Sequence, residues 1–331
     1  MQHKRQIEPD FELQGPDYDR LLKAYEEYSL ETGKGGDLRV YLKTHINNMS
    51  LARQVIDWLK AEMPDLSLLR VEDVKAYLKR LTREGYTGWS VRHYHTKLRL
   101  LLDRAMELQM IEHNPARQIP TIQPKKAKER IILSEQEARH VLDVSLTYRQ
   151  YVSGSLPTIV RLGLYAGLRN EEMCWLKWEA IDWKNRIINI GETFCEISRR
   201  AWIPKDYESR RLDVKPACIE YLRGEYDRQK KAGLLGPFIV PAGHEKAVHY
   251  RGRPLSQTAP QSAFSMMIKS EKLNPKLTVY SLRHTYATMA LRNGVDLRTL
   301  QQRMGHADLK TTMEYLHYIE PEQRPMDNLP Y

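Results

Sequence analysis

Between Tyr280 and Tyr315 the chain sets an arginine, a histidine and a phenol in a fixed order: Tyr280-Ser281-Leu282-Arg283-His284-Thr285, then Met304-Gly305-His306, then Thr311-Thr312-Met313-Glu314-Tyr315. A tyrosine hydroxyl has an ordinary pKa of about 10, so at neutral pH it attacks well only where a base or a cationic surrounding helps remove its proton. His306, nine residues before Tyr315, is the nearest base. Attack on a phosphodiester spreads negative charge over the phosphate oxygens, and a guanidinium meets that charge with paired, fixed donors. Arg283 is the local cation. One arginine leaves much of that charge uncovered, so a second is expected from elsewhere in the chain.

A second arginine stands in Tyr165-Ala166-Gly167-Leu168-Arg169-Asn170-Glu171-Glu172-Met173, within an apolar frame of Leu162, Leu164, Leu168, Met173 and Leu176. Taken together, these segments resemble the tyrosine recombinase (phage integrase) family. Its first box reads roughly Gly-Leu-Arg-x-x-Glu, and its second runs from Leu-Arg-His-Thr through Leu-Gly-His to a nucleophilic tyrosine. The match covers roughly residues 130–320, and its weight lies in the combined order and spacing rather than in any one motif. The resemblance implies that Arg169 and Arg283 clamp the phosphate, that Glu172 buttresses the first arginine, and that Tyr315 is the nucleophile with His306 beside it. It also implies a lysine on a β-hairpin between the boxes, which gives a proton to the leaving 5′-oxygen. Residues 186–190 and 202–214 alternate like strands around turns, and Lys205 fits that place best.

One expected catalytic position departs from the pattern. Tyr280 stands where the second box usually has a histidine, and at neutral pH it can hydrogen-bond a phosphate oxygen but brings no positive charge. Near the same site, His284 is expected to face away from Arg283 and to be structural. Tyr318 is a rival nucleophile one helical turn on, disfavoured by its spacing from His306, and His317 is expected to pack or cap.

These groups must be positioned by folded elements, and the breaks in the chain divide it. Residues 1–36 are expected to be an N-terminal arm or extension, with an amphipathic helix from Tyr18 to Tyr28 before the glycines of Gly33-Lys34-Gly35-Gly36. Residues 37–116 read as a helical core-binding domain: Leu51, Val55, Trp58 and Leu59 share one face, and Val74, Tyr77, Leu78 and Leu81 share another. Ser90 is the expected cap of a further helix carrying Leu98, Leu101, Leu102 and Ala105. Cations on these helices, Arg92 and Lys97 among them, are candidate DNA contacts, and Arg92, His93, His95 and Lys97 are candidates for reading base edges. Residues 117–131 form a basic linker in which Lys125, Lys126 and Lys128 are placed to meet phosphates. A catalytic domain over 132–317 opens on the capping box Ser134-Glu135-Gln136-Glu137, and 318–331 is a Pro-rich tail expected to dock on a neighbouring protomer. The fold class expected is mainly α with a small β-sheet, an α-helical core-binding domain followed by a mixed α+β catalytic domain.

With 52 Lys+Arg against 42 Asp+Glu, a net charge of +10 and a pI near 9.3, the 331-residue chain suits a protein that surrounds a polyanion. Charge alone would equally fit a solvated basic surface. Cys174, Cys195 and Cys218 show no metal-ligand spacing and read as reduced residues of a cytoplasmic protein. No apolar stretch approaches about 18–20 residues, and no signal-type run follows the N-terminus. A phosphate-binding loop of the Gly-x-x-x-x-Gly-Lys type is absent, as is an obvious carboxylate cluster for two metal ions. The expected reaction is therefore a two-step transesterification through a 3′-phosphotyrosine link, with no cofactor, metal or ATP. The expected partners are double-stranded DNA, further copies of the chain in a tetramer on paired sites, and accessory DNA-bending or directionality factors. Alternatives are a type IB topoisomerase-like enzyme that reseals its own nick, or an inactive DNA-binding regulator of the same fold.

Overall fold

The structure, a computed structural model, describes residues 17–31, 38–123, 130–149, 154–204, 209–242 and 252–318. Lys125, Lys126, Lys128 and Lys205 lie outside the described residues, as do the tail beyond 318 and residues 1–16. The chain divides into two compact units, Met1–Lys128 and Glu129–Tyr331.

The first unit is built on α1 (Tyr18–Glu31), α2 (Leu38–Glu62), α3 (Val71–Arg83) and α4 (Gly88–Glu107). Each contributes an apolar stripe at helical spacing. In α3 this is Val74, Tyr77, Leu78 and Leu81, all buried, with Tyr77 stacked on Trp58 of α2 at 4.0 Å between ring centroids. The helix expected in an N-terminal arm instead shares this core. Leu21 and Tyr25 are buried with Val55, Leu59, Leu98 and Leu101, because α1 packs against both α2 and α4.

α4 also starts earlier than expected. Thr87, rather than Ser90, is its cap, and its side chain accepts from the Ser90 N–H at 3.2 Å. The burial pattern of α4 corrects two of the expected base-reading residues. Lys97 is only 8% exposed, with its stem in the core and its ammonium 5.8 Å from the Tyr25 ring centroid, so it is no surface cation. His95 is buried, with Nε2 3.1 Å from the Ala116 carbonyl. Trp89, His93 and Thr96 remain exposed, and the half-buried Arg92 lies over the Trp89 ring. Asn114 closes the unit by donating to the Arg99 carbonyl and to Asp103 while capping the turn Pro115–Gln118.

The second unit opens on α5 (Glu135–Val144), where the Ser134 hydroxyl accepts from the Glu137 N–H and the Glu137 carboxylate accepts from the Ser134 N–H. Then come α6 (Leu156–Ala166) and α7 (Asn170–Trp175). The antiparallel sheet has the order β1 (Ile181–Asp182), β2 (Ile187–Ile190), β5 (Arg210–Asp213), with Ile188 opposite Leu212 and both buried. A separate ribbon pairs β3 (Thr193–Cys195) with β4 (Arg200–Trp202). The remaining helices are α8 (Pro216–Lys231), α9 (Thr258–Ser270), α10 (Val279–Arg292), α11 (Leu297–Met304) and α12 (Leu309–Met313), and a 3-10 turn over Glu314–Tyr318 follows. α6 is buried along nearly its whole length and packs on α10, which fixes Arg169, just beyond its end, relative to Arg283. The fold is thus mainly helical with a small antiparallel sheet. The three cysteines are buried, and among the described residues no helix is long and apolar enough to cross a membrane.

Candidate active site

Glu172 organises the site. It sits in the first turn of α7, and its carboxylate accepts from the Arg169 backbone N–H at 2.7 Å and from Arg169 Nη1 at 3.1 Å. On its other side Arg210 of β5 binds it with both terminal nitrogens, at 2.9 and 2.7 Å. Arg283 Nη1 lies 3.9 Å away. Burial alone would push this carboxyl up. The paired hydrogen bonds and charge of Arg210, with Arg283 and Arg169 behind it, outweigh burial and hold it at about 2. One buried anion therefore fixes three guanidinium groups that would otherwise repel one another.

Backbone carbonyls supply the remaining restraint. Arg169 donates to the Gly305 carbonyl, Arg210 Nε to the Arg303 carbonyl at 2.9 Å, and Arg283 to the carbonyls of Gly167, at 2.6 Å, and Met304. Both glycines have positive φ, +63° at Gly167 and +59° at Gly305. A Cβ at Gly167 would collide with the Tyr286 ring, and one at Gly305 would stand 3.1 Å from Arg210 Nη1 and 3.3 Å from Arg169 Nη1. The glycines of the two sequence boxes thus let the backbone come close to the arginines.

His306 follows Gly305 and is held from both ring nitrogens. Nε2 lies 3.3 Å from Arg283 Nη2 and Nδ1 lies 2.9 Å from Thr312 Oγ1. This arrangement fits a neutral ring that accepts from Arg283 and donates to Thr312. Burial, together with the charges of Arg283, Arg169, Arg130 and Arg210, pulls the imidazole down to about 3, so it is neutral at pH 7. Its ring is parallel to that of Tyr315, with centroids 6.3 Å apart.

Tyr315 is 1% exposed, at the second position of the turn Glu314–Tyr318. Burial pushes the phenol up to about 12, opposed by the charges of Arg130 and Arg283. Its hydroxyl lies 2.8 Å from Nδ1 of His284, the side chain expected to be structural. His284 does face away from Arg283, but that direction points it at the phenol, one helical step around α10. Burial pulls the His284 imidazole down to about 3. Both shifts disfavour moving the phenol proton to it, so His284 holds a neutral phenol in this conformation.

The structure thus brings Arg169, Glu172, Arg283, His306 and Tyr315 together. Tyr280 is exposed on α10, with its ring edge-on to His284 at 4.6 Å. Tyr318, the rival phenol, has its hydroxyl on the Arg130 N–H at 2.6 Å and its carbonyl on Arg292 at 2.9 Å. His317, expected to pack, is exposed. Arg210, Arg130 and His284 were not among the expected site residues. A signal for Arg210 was present, because it shares a strand face with the buried Leu212. Among the described residues no group of three or more His, Cys, Asp or Glu side chains is gathered to hold a metal ion.

Guanidinium groups fixed around one buried carboxylate, with a phenol and a neutral imidazole beside them, can bind a phosphate and direct a tyrosine at it. Comparison with known proteins agrees. The model of the phage integrase family matches residues 131–320. Tyrosine recombinase XerC of Halalkalibacterium halodurans is 25% identical over 269 residues, covering 79% of this chain and 82% of that protein. Tyrosine recombinase XerD of Staphylococcus saprophyticus is 36% identical over 171 residues, 52% of each chain. In fold, the chain is similar to a lambda integrase solved as a dimer bound to a COC' core site, with a TM-score of 0.65 at 18% identity, over 91% of this chain and 95% of that one. It is likewise similar to the Tn1549 transposon integrase solved in complex with circular intermediate DNA, with a TM-score of 0.65 at 17% identity, over 89% and 94%. The chain belongs to the phage integrase family.

Proposed function

We propose that the chain is a site-specific DNA recombinase that cuts and rejoins strands with Tyr315 as its nucleophile. The observation that carries this reading is the run of contacts from the buried Glu172 to Arg169 and Arg283, from Arg283 to His306, and from His306 to the parallel ring of Tyr315. In the first step the Tyr315 oxygen bonds to phosphorus, the bond from phosphorus to the 5′-oxygen breaks, and the phenol proton leaves. Arg169 and Arg283 meet the charge on the equatorial oxygens, and the phenol proton passes to a base, the role assigned here to His306. The leaving 5′-oxygen takes up a proton from Lys205, the residue the family pattern suggests for that task. In the second step a 5′-hydroxyl attacks the 3′-phosphotyrosine link and restores a phosphodiester. Bond energy is conserved in the covalent link, so neither step draws on ATP.

The solved relatives carry DNA, which supports duplex DNA as the partner of this chain. Exchange between two duplexes requires several active sites, so the working form is a tetramer on paired sites, with accessory factors that set direction. The linker lysines Lys125, Lys126 and Lys128 and the exposed side of α4, with Arg92, are the surfaces assigned to phosphate contact. The N-terminal unit serves as the core-binding domain.

The test is a nicked suicide substrate carrying DNA from the flanks of the gene, where an attachment site is expected. A covalent protein–DNA adduct that disappears in Tyr315→Phe, with labelled ends transferred from one duplex to another, supports the reading. Relaxation of supercoils without transfer between duplexes contradicts it.

A further inference from the structure

Arg130 belongs to neither sequence box, yet it reaches the nucleophile's turn at three points. Its backbone N–H donates to Tyr318 Oη at 2.6 Å, its guanidinium pairs with Glu314, and its Cζ lies 4.5 Å from the centroid of the Tyr315 ring. The guanidinium is mostly covered, and its Nη1 is buried with no hydrogen-bond partner. It is therefore held over the phenol by the tyrosine turn rather than by a complete set of its own hydrogen bonds.

We propose that Arg130 is a positioning residue for Tyr315: it fixes the turn that carries the phenol and places a cation over the ring that favours the ionised, attacking form. The proposal rests on Tyr315 being the nucleophile. Several groups face this phenol. Arg283, His284 and Tyr280 come from α10, His306 from the loop after α11, and Glu314 from its own turn. Of these, Arg283 works in the same direction as Arg130, whereas Tyr280 and Glu314 oppose ionisation. Arg130 acts twice, because its ion pair also neutralises Glu314, the carboxylate next to the nucleophile. Losing Arg130 removes a cation and frees an anion in one change.

The experiment measures single-turnover formation of the covalent adduct on the nicked substrate from about pH 6 to about pH 9.5, with DNA binding measured separately. Arg130→Ala is expected to slow adduct formation about tenfold across this range, which lies wholly below the phenol's value of about 12, so that the ionised fractions of both proteins rise in parallel. Arg130→Lys keeps the cation and should retain most of the wild-type rate. Adding Glu314→Gln to Arg130→Ala should recover part of the rate. Should the alanine variant not fold, Arg130→Lys against Arg130→Gln makes the same comparison, charge kept against charge removed. An unchanged rate at every pH overturns the proposal. So does a deficit in which lysine is as poor as alanine or glutamine, because that pattern is structural. An adduct that persists in Tyr315→Phe overturns the assignment of the nucleophile instead, so the two failures are distinguishable.

Discussion

The hydroxyl of Tyr315 and Nδ1 of His284 lie 2.8 Å apart in a part-buried contact between the turn Glu314–Tyr318 and α10. The imidazole is neutral, so the phenol donates and the ring accepts. Replacing His284 by alanine leaves a buried hydroxyl without that acceptor and opens a cavity beneath Tyr315. The second unit should lose about 2–4 kcal/mol of stability. Urea unfolding of His284→Ala against the parent measures this.

Glu172 makes acid stability a property of the site. Its carboxyl is held at about 2, below its ordinary value of 4.5, so it stabilises the folded chain above about pH 4.5, and this contribution is lost as pH falls towards 2. The shift corresponds to about 3 kcal/mol. Glu172→Gln should remove that pH dependence and lower neutral-pH stability by roughly 3–5 kcal/mol, since Arg210, Arg169 and Arg283 lose their shared anion. Urea midpoints at pH 7 and at acid pH, in both proteins, give the comparison.

Much of this site could be read from spacing, and the reason is local. Arg169 with Glu172 and Met304-Gly305-His306 each belong to one helix end, where cap, charge and glycine fall within a few residues. The helical faces of α3 and the Ser134 capping box were legible for the same reason. Arg210, Arg130 and His284 were not, because what gives each its place is contact with a residue far along the chain: Glu172, Glu314 and Tyr315 respectively. Lys97 misled because its charge hides an aliphatic stem, and the Tyr25 ring that covers it comes from α1, a segment expected to lie apart.

Gly305→Ala tests the close approach of backbone to arginine. The left-handed conformation at this position costs an alanine about 1–2 kcal/mol, and its methyl group would press on Arg210 and Arg169. Adduct formation should fall by at least about tenfold while binding of duplex DNA changes little. Gel-shift and single-turnover measurements on the same protein separate the two.

Tyr280→His restores the residue usual at this position of the second box. Tyr280 is exposed on α10, and a histidine there meets little steric resistance. Cleavage should be unchanged or faster, and more so at mildly acid pH, where an exposed imidazole is protonated. A single-turnover pH series reads this, and a loss of activity would assign Tyr280 a role outside the family pattern.

The central claim is that Tyr315 forms the bond to DNA. Peptide mapping by mass spectrometry of the trapped protein–DNA adduct, after nuclease digestion, tests it most directly. The nucleotide remnant is predicted on the peptide containing Tyr315, joined through its phenol oxygen to a 3′-phosphate. A remnant on Tyr318, on Tyr280 or on any residue other than Tyr315 would contradict the account.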